Sequence, residues 1–453
     1  MAALAAGRAP PKLSSRPAPT RLSQVSSATN RLGQWAPYFA WGAGVVAYII
    51  AVANRSSFGV AGLLAAERFH TSATVLSLFV VVQLSLYALM QLPAGMALDL
   101  WGPRRMIATG VALMALGQFA MAFAPTVSLA IAARVLIGTG DATIFVSVVR
   151  LVWNWFPVNR APIFTQLTGI FGQVGQIISA VPFAAALRTG GWTPAFTTLA
   201  AAGVAITFFC LAAVRNSPRT APVATPSSGL AGLGGALRNP GTWLGFFCHM
   251  MGGVSSTVFM LMWGVPFMVQ GLGYAPATAS SLLTTFAFAS VVAGPLIGQI
   301  TSRRPSSRPW VVLIMGTIIA LMWVVLLLPA NPVPVWVTVI AAALFSAGGN
   351  ASLIGLDLAA SLNSPERRSS VQGIANMGGF AAAVISMFAI GNVLDWHAGT
   401  TGLGLGPVYG DYRVAMAVMF LPLTIGALGI LLTRRAALAH PGAATQLLPV
   451  RSR

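Results

Sequence analysis

The chain has 453 residues, of which 56% are hydrophobic and only 7% are charged, and its mean hydropathy is +0.80. Soluble globular proteins carry about 25% charged residues, so this composition excludes a chain whose whole surface faces water. The net charge of +19 comes from 26 basic and 7 acidic residues. The basic residues form short clusters between apolar stretches, not a patch or a stripe, which argues against a nucleic-acid-binding protein.

Residues 1–34 are rich in Ala, Pro, Ser and Arg and contain no acidic residue, so we expect a disordered basic tail. From Trp35 onward, apolar stretches recur that are each long enough to cross about 30 Å of hydrocarbon. The sequence therefore predicts an all-α polytopic membrane protein with twelve transmembrane helices. We place them near 36–64, 73–98, 106–125, 128–150, 163–187, 194–214, 242–270, 277–300, 310–329, 334–359, 371–393 and 412–433.

The first six and the last six predicted helices resemble each other. Similar tripeptides at 72–74 and 276–278 lead into helices 2 and 8, and 140–142 in helix 4 matches 349–351 in helix 10. The offsets of these matches are 204 and 209 residues. We therefore expect two six-helix bundles, at 35–214 and 242–433. A linker at 215–241 joins them, and a tail at 434–453 follows.

The distribution of basic residues predicts the orientation of the chain. Twelve spans put both tails on one side, and that side holds 21 basic residues, whereas the opposite loops hold only Arg68, Arg188 and Arg413. By the positive-inside rule, both termini and the linker are cytoplasmic. All basic residues except Lys12 are arginine and alanine is abundant, which is typical of a GC-rich bacterial genome. We therefore expect a bacterial inner membrane.

The segment 95–105, after helix 2, reads GMALDLWGPRR. It resembles the loop motif of the major facilitator superfamily, G-x-x-x-D-[RK]-x-G-[RK]-[RK], with Leu100 at the first basic position. The resemblance implies the major facilitator fold, in which two bundles rock about a site near the bilayer midplane. It also implies a gate at the cytoplasmic side formed by Asp99, Arg104 and Arg105. These residues also fit a simple role in topology and loop structure.

A second resemblance lies in helix 4 and the loop after it. Arg134 and Asp141 belong to an R-x-x-x-G-x-G-D segment, which Asn-Trp-Phe-Pro at 154–157 and Arg160 follow. This pattern resembles the anion–cation symporter branch, which includes the sialin-like and sugar-acid carriers. Asp141 takes the position of the Glu in that branch. Asn54, before Arg55, stands where relatives often carry Asp.

Ionisable side chains deep in a bilayer cost about 2.5–3.5 kcal/mol, so they are candidates for function. Arg55, Arg134 and Asp141 are the main ones, and two arginines against one carboxylate favour an organic anion as substrate. Arg134 and Asp141 are seven residues apart and therefore share one helix face, about 10 Å apart. They also fit a pair that only stabilises the fold, and Arg55 also fits a position at the membrane interface.

Other polar residues in the spans have two possible roles. Gln83 and Tyr87 in helix 2 fit substrate hydrogen bonds, as do Asn350 and Asn376 in helices 10 and 11, or they connect helices to one another. Asp141 and His249 are the candidate proton carriers, although a lone histidine on an apolar helix also fits packing. Asp357 fits a cytoplasmic gate near Arg303 or Arg304, or a helix-end acid.

These observations favour a monomeric secondary transporter that imports a small organic anion with protons. Efflux of drugs by proton exchange is the alternative, although the segment 169–175 lacks the Gly-Pro pair of the antiporter motif. A peptide or nitrate-type carrier also remains open. A polytopic membrane enzyme is disfavoured because the linker at 215–241 carries no catalytic set, and no ATP-binding loop motif occurs in the sequence. We expect no cofactor and no metal. The expected partners are the substrate, protons and the lipid bilayer.

Overall fold

The computed structural model describes residues 21–157, 160–216, 229–303, 305–364, 368–401 and 408–439. In these ranges the chain folds into helices without strands, and twelve helices are long and apolar enough to cross a membrane. This confirms the predicted fold class. The spans are α1 (Trp35–Phe69), α2 (Ala73–Gln91), α3 (Leu100–Phe123), α4 (Val127–Trp155), α5 (Ile163–Gly190), α6 (Trp192–Ala213), α7 (Pro240–Gly271), α8 (Pro276–Thr301), α9 (Arg308–Leu327), α10 (Val335–Ser361), α11 (Val371–Gly399) and α12 (Tyr409–Ala437).

Successive spans run in opposite directions. Trp192 at the start of α6 donates to the carbonyl of Met121 near the end of α3 (2.9 Å), and Asn239 before α7 donates to the carbonyl of Leu362 after α10 (3.0 Å). We call the end where α1 joins α2 the distal end. The opposite end, where α1 begins and α12 ends, is called the tail end.

The outer surface of the bundle is covered by large apolar side chains. Phe39, Phe208, Leu328 and Leu432 are each more than two-thirds exposed. An apolar surface of this extent would be unfavourable in water, whereas it is favourable in contact with lipid tails. The buried apolar core lies between the helices instead.

The helical structure extends beyond the predicted spans. The helix of α1 begins at Arg21, so residues 21–34, which we predicted to be disordered, are helical. The last proline before this segment is Pro19, and a chain without proline can form the backbone hydrogen bonds of a helix. The predicted linker contains a helix at Gly229–Arg238. Residues 1–20, 217–228 and 440–453 of the predicted tails and linker lie outside the described ranges.

The loop motif contains a sharp break in the backbone. Helical structure runs from Ala73 to Phe123, through α2 and α3, and Gly102 interrupts it with a φ of 74°. This left-handed conformation favours glycine. A Cβ at Gly102 would also lie 2.9 Å from Nδ2 of Asn216, which follows α6.

Helices α5 and α7 contain π-helical turns. They occur at Ser179–Phe183 in α5 and at Phe259–Trp263 and Phe267–Gly271 in α7. Pro182 lies inside the first of these turns, and Pro266 directly precedes the third. A proline removes one backbone donor, and a local change of hydrogen-bond register accommodates this loss.

The first six and last six helices approach each other closely through glycine. A Cβ at Gly59 in α1 would lie 2.5 Å from the carbonyl oxygen of Met260 in α7. A Cβ at Gly391 in α11 would lie 2.8 Å from the carbonyl oxygen of Ala73 in α2. Small residues of this kind let membrane helices pack backbone to backbone.

Candidate functional site

A two-point ion pair lies near the middle of the first six helices. Arg55 in α1 donates from Nε to Oδ2 of Asp141 in α4 (2.6 Å) and from Nη2 to Oδ1 (2.8 Å). The Asp141 side chain is 1% exposed and the Arg55 side chain is 16% exposed. The arginine is therefore the more exposed partner of the pair. A buried ion pair is favourable only when the two charges neutralise each other with good hydrogen-bond geometry, and this planar two-point contact meets that condition.

Two tyrosines interact with the guanidinium of Arg55. Its Cζ lies 4.7 Å from the ring centroid of Tyr87, so the cation stacks on the aromatic face. Tyr48 also interacts electrostatically with Arg55. Tyr87 in turn contacts Phe380 of α11, with ring centroids 5.3 Å apart. The site thus extends from the first six helices to the last six.

Arg134 has a different environment from Arg55. It is fully buried, donates from Nη1 to Oε1 of Gln83 in α2 (2.8 Å), and has its Cζ 4.5 Å from the ring centroid of Phe58. Its Nε and Nη2 have no hydrogen-bond partner among the described residues. Oδ1 of Asn54 also has no hydrogen-bond partner among the described residues. Carriers of the anion–cation symporter branch often have Asp at this position. The guanidinium of Arg134 is therefore enclosed by the protein, and its unpaired donors are costly.

The pairing of charges differs from the simplest interpretation of the sequence. Helical periodicity placed Arg134 and Asp141 on one face of α4. In the structure Asp141 pairs with Arg55, while Arg134 binds Gln83. Of the predicted substrate-binding residues, Arg55 and Tyr87 lie together with Asp141, and Arg134 and Gln83 form a separate enclosed pair.

His249 in α7 connects three helices of the second half. Its Nδ1 lies 3.1 Å from the carbonyl oxygen of Ser352 in α10, and its side chain is hydrogen-bonded to Asn376 in α11. A carbonyl only accepts, so Nδ1 carries a proton and donates it to this oxygen. The two contacts connect the side chain of His249 to α10 and α11.

Asn350 in α10 makes a second contact between helices of this half. Its Nδ2 donates to Oγ of Ser290 in α8 (2.9 Å) and to the carbonyl of Ser346 in its own helix (3.1 Å).

Among the described residues, no group of three His, Cys, Asp or Glu side chains is arranged to hold a metal ion.

The predicted gate residues lie at the tail end. Arg104 donates from Nε to the carbonyl of Leu211 (3.0 Å) and from Nη2 to the same oxygen, so it fixes the end of α6. Arg105 and Asp357 are exposed, and the charge of Arg308 acts on Asp357. The side chain of Asp99 and those of Arg303 and Arg304 lie outside the described part of the chain.

Within the described ranges, three hydrogen bonds join the two halves at the distal end. Asp395 in α11 accepts from the backbone N–H groups of Ala73 and Thr74, which begin α2, both at 2.8 Å. Arg188 in α5 donates from Nη1 to Oγ of Ser280 in α8 (3.2 Å). These contacts hold the distal ends of α2 and α11, and of α5 and α8, together.

Two residues of these contacts, Tyr48 and Asp395, were not among the residues predicted from the sequence. Tyr48 precedes Arg55 by seven residues, so the periodicity that linked Arg134 to Asp141 also puts Tyr48 and Arg55 on one face. That signal was available. Asp395 lies beyond the predicted end of helix 11 at residue 393, and a single acid at a helix end carries no signal for a contact with another helix.

Comparison with known sequences places this chain among transporters. A family model described as the Major Facilitator Superfamily matches residues 44–387 and 245–449. A probable L-galactonate transporter of Escherichia coli (strain K12) is 25% identical over 296 residues, which cover 62% of this chain and 64% of that protein. A probable sulfoacetate transporter of Cupriavidus necator is 25% identical over 38% of this chain and 40% of its own length. A probable anion transporter of Arabidopsis thaliana is 27% identical over 42% of this chain and 43% of its own length. The chain thus matches less than two-thirds of the length of each relative.

Comparison with solved structures identifies the same fold. A bacterial homologue of the human lysosomal transporter Spinster, in an inward-facing and unoccupied conformation, superimposes with a TM-score of 0.72 at 16% identity, covering 89% of this chain and 98% of the other. A D-xylose–proton symporter superimposes with a TM-score of 0.68 at 14% identity, covering 87% of this chain and 97% of the symporter. At these identities the likeness concerns the fold alone.

Proposed function

The chain belongs to the Major Facilitator Superfamily, and we propose that it carries a small organic anion across the membrane together with protons, by alternating access. The observation that carries the proposal is the Arg55–Asp141 ion pair, whose arginine is partly exposed and whose carboxylate is not. Together with Arg134, the middle of the first six helices holds two guanidinium groups and one carboxylate. This excess positive charge attracts an anion and repels a cation.

A carboxylate or sulfonate group of the substrate binds Arg55. Asp141 occupies Nε and Nη2 of the arginine, so the substrate either approaches Nη1 or replaces Asp141 on the two-nitrogen edge. The ring of Tyr87 keeps the guanidinium in place from one face. The planar donor set matches the two oxygens of a carboxylate, which a lysine ammonium cannot do.

Proton coupling follows from the competition for Arg55. When the substrate anion replaces Asp141, a carboxylate remains in a nearly water-free site without its cation. Burying a lone charge is far more costly than burying a neutral acid, so Asp141 takes up a proton. Substrate and proton therefore enter the site together, and release of either on the other side lets the ion pair re-form.

Arg134 supports this site without touching the substrate in our proposal. It is fully enclosed by Gln83, Phe58 and its neighbours, whereas Arg55 is open on one side. From the sequence alone, both Arg134 and Arg55 were candidates for the anion ligand. The burial of the Arg134 guanidinium moves that role to Arg55 and leaves Arg134 to connect α1, α2 and α4.

The relatives support an anionic substrate. Those named for L-galactonate and sulfoacetate transport small organic acids by their names, and the third is named as an anion transporter. We propose the same class of substrate here. The excess of basic residues at the tail end further supports an orientation with that end in the cytoplasm.

Purified protein in proteoliposomes tests the proposal. The panel contains sugar acids such as L-galactonate, sulfoacetate, short monocarboxylates, dipeptides and cationic drugs. We expect one class of organic acid to bind and to accumulate when the inside is alkaline, and expect Arg55→Gln to abolish binding. The matched control is Arg413→Gln, because Arg413 lies at the distal end and bonds only carbonyls of α9 in the described contacts. Proton-driven exchange of a cationic drug, with no acid bound, would contradict the proposal.

A further inference from the structure

Asp395 caps a helix that belongs to the other half of the protein. Ser72 is the N-cap of α2 and accepts from the backbone N–H of Val75 (3.4 Å). The two N–H groups between them, on Ala73 and Thr74, donate to the two carboxylate oxygens of Asp395, each at 2.8 Å. A residue of α11 thus completes the first turn of α2.

This contact is stronger than an ordinary polar contact between helices. The first N–H groups of a helix have no partner within it, and the helix dipole adds partial positive charge at that end. A carboxylate satisfies both needs, and hydrogen bonds to a charged group are worth more than neutral ones. The close backbone approach at Gly391, one turn before Asp395, is what brings the carboxylate into reach.

The corresponding contact on the other side of the distal end is weaker. The start of α8 corresponds to the start of α2 in the sequence repeat, and it faces α5 as α2 faces α11. There the approaching side chain is Arg188, which makes one hydrogen bond of 3.2 Å to Ser280. A cation near a helix N-terminus gains nothing from the helix dipole. The charge-stabilised contact therefore exists on one side of the interface.

We propose that Asp395 is a latch that stabilises the state with the distal end closed, and that α2 and α11 must separate there before the distal end opens. The inference rests on the alternating access proposed above. Because α2 and α11 belong to different halves, the contact exists only while the halves meet at this end. In the opened state the carboxylate and the N–H groups are hydrated instead, so the contact favours one conformation over the other.

Distances between spin labels test the latch in the full-length protein. One pair of labels, on Phe123→Cys and Val335→Cys, reports on the distal end, and a second pair, on Trp153→Cys and Leu432→Cys, reports on the tail end. All four positions are exposed on the outer surface. We expect Asp395→Ala to raise the ratio of open to closed distal populations about tenfold, as the loss of a charged hydrogen-bond pair implies. Asp395→Asn keeps one acceptor and should give a smaller rise.

Two further variants separate the latch from general damage. Ala73→Pro keeps the carboxylate of Asp395 but replaces one of the two N–H donors with the proline Cδ, which breaks the contact from the α2 side. Proline is tolerated at the first position of a helix. It should shift the distal distances in the same direction, and it decides the question if Asp395→Ala does not fold. Asn392→Ala is the control, because Asn392 is exposed and its Nδ2 bonds the carbonyl of Phe388 in its own helix. It should leave both distances unchanged.

The outcomes separate the latch from the transport cycle. Unchanged distal distances in folded Asp395→Ala and Ala73→Pro protein would overturn the latch, whatever the substrate assays show. A longer distal distance without a shorter tail distance would support the latch and contradict a rocking motion of the two halves. A longer distal distance with a shorter tail distance supports both.

Discussion

The ring of Tyr48 occupies space that Gly172 leaves open. A Cβ at Gly172 in α5 would lie 2.5 Å from Cε1 of Tyr48 in α1, well below a normal contact distance. Tyr48 interacts with Arg55, so Gly172 makes room for an aromatic ring that belongs to the proposed anion site.

We therefore predict that Gly172→Ala weakens substrate binding while the protein still folds. The added methyl group displaces the Tyr48 ring from Arg55, and the loss of a contact to a charged group raises Kd by about tenfold. Isothermal titration with the transported acid measures this, and Tyr48→Phe should have an effect in the same direction. Gly169→Ala is the matched control, since nothing lies within 4 Å of the corresponding Cβ position in the same helix. Equal affinities in the two glycine variants would remove Tyr48 from the site.

The two arginines should respond differently to substitution. Arg55→Lys keeps the charge but loses the two-nitrogen edge and the stacking on Tyr87, so Kd should rise by about tenfold to a hundredfold. Arg134→Met removes the unpaired donors and keeps apolar contact with Phe58, at the cost of an unsatisfied Gln83 oxygen. It should change the thermal midpoint of unfolding more than the substrate affinity. Loss of binding in Arg134→Met at an unchanged midpoint would return the anion site to Arg134.

Asp141→Asn should separate binding from accumulation. The amide cannot exchange a proton, so the variant should bind substrate and exchange it across vesicles, yet fail to concentrate it when a pH gradient is applied. Glu67→Gln, at the exposed end of α1, is the control and should accumulate substrate normally. Accumulation that survives in Asp141→Asn excludes this carboxylate as the proton carrier.

His249 should be replaceable without loss of coupling. The ring donates from Nδ1 to the carbonyl of Ser352 and is hydrogen-bonded to Asn376, and His249→Asn can preserve the donor to the Ser352 carbonyl. Substrate accumulation and its pH profile should stay within about twofold of the parent, a margin below that of one hydrogen bond. His249→Ala, which loses both contacts, should lower the thermal midpoint. Coupling that disappears in His249→Asn while exchange persists would transfer the proton role to the histidine.

The membrane spans were predictable because a bilayer imposes a length on each apolar segment. The predicted helix at 128–150, for example, lies inside the observed span Val127–Trp155. Breaks and extensions were harder to predict. Helical structure continues through the predicted loop on both sides of the break at Gly102, and the segment after Arg21 is helical although its composition is that of a tail. Neither depends on apolar length, which is the quantity that a hydropathy pattern reports.

The candidate site was predictable as a set of residues but not as a set of pairs. The rarity of charge in the spans pointed to Arg55, Arg134 and Asp141. Periodicity along one helix could relate only Arg134 to Asp141. The contact of Arg55 with Asp141 joins residues 86 positions apart, and it depends on how α1 packs against α4. Asp395 and Ala73 are 322 positions apart, and their contact depends on how the two halves meet.

The π-helical turns of α7 give this helix an unusual tolerance for changes in chain length. A π turn holds one more residue than the α-helical turn it replaces, and it leaves the flanking segments facing nearly the same directions. Deleting one residue within Phe259–Trp263 would let the remaining residues close α-helical hydrogen bonds, without rotating His249 at one end or Tyr274 beyond the other out of position. The same deletion in the regular helix α9 would turn every later side chain by about 100°. Evolutionary gaps and insertions within a membrane span should therefore be found at the π turns of α7 before they appear in α9.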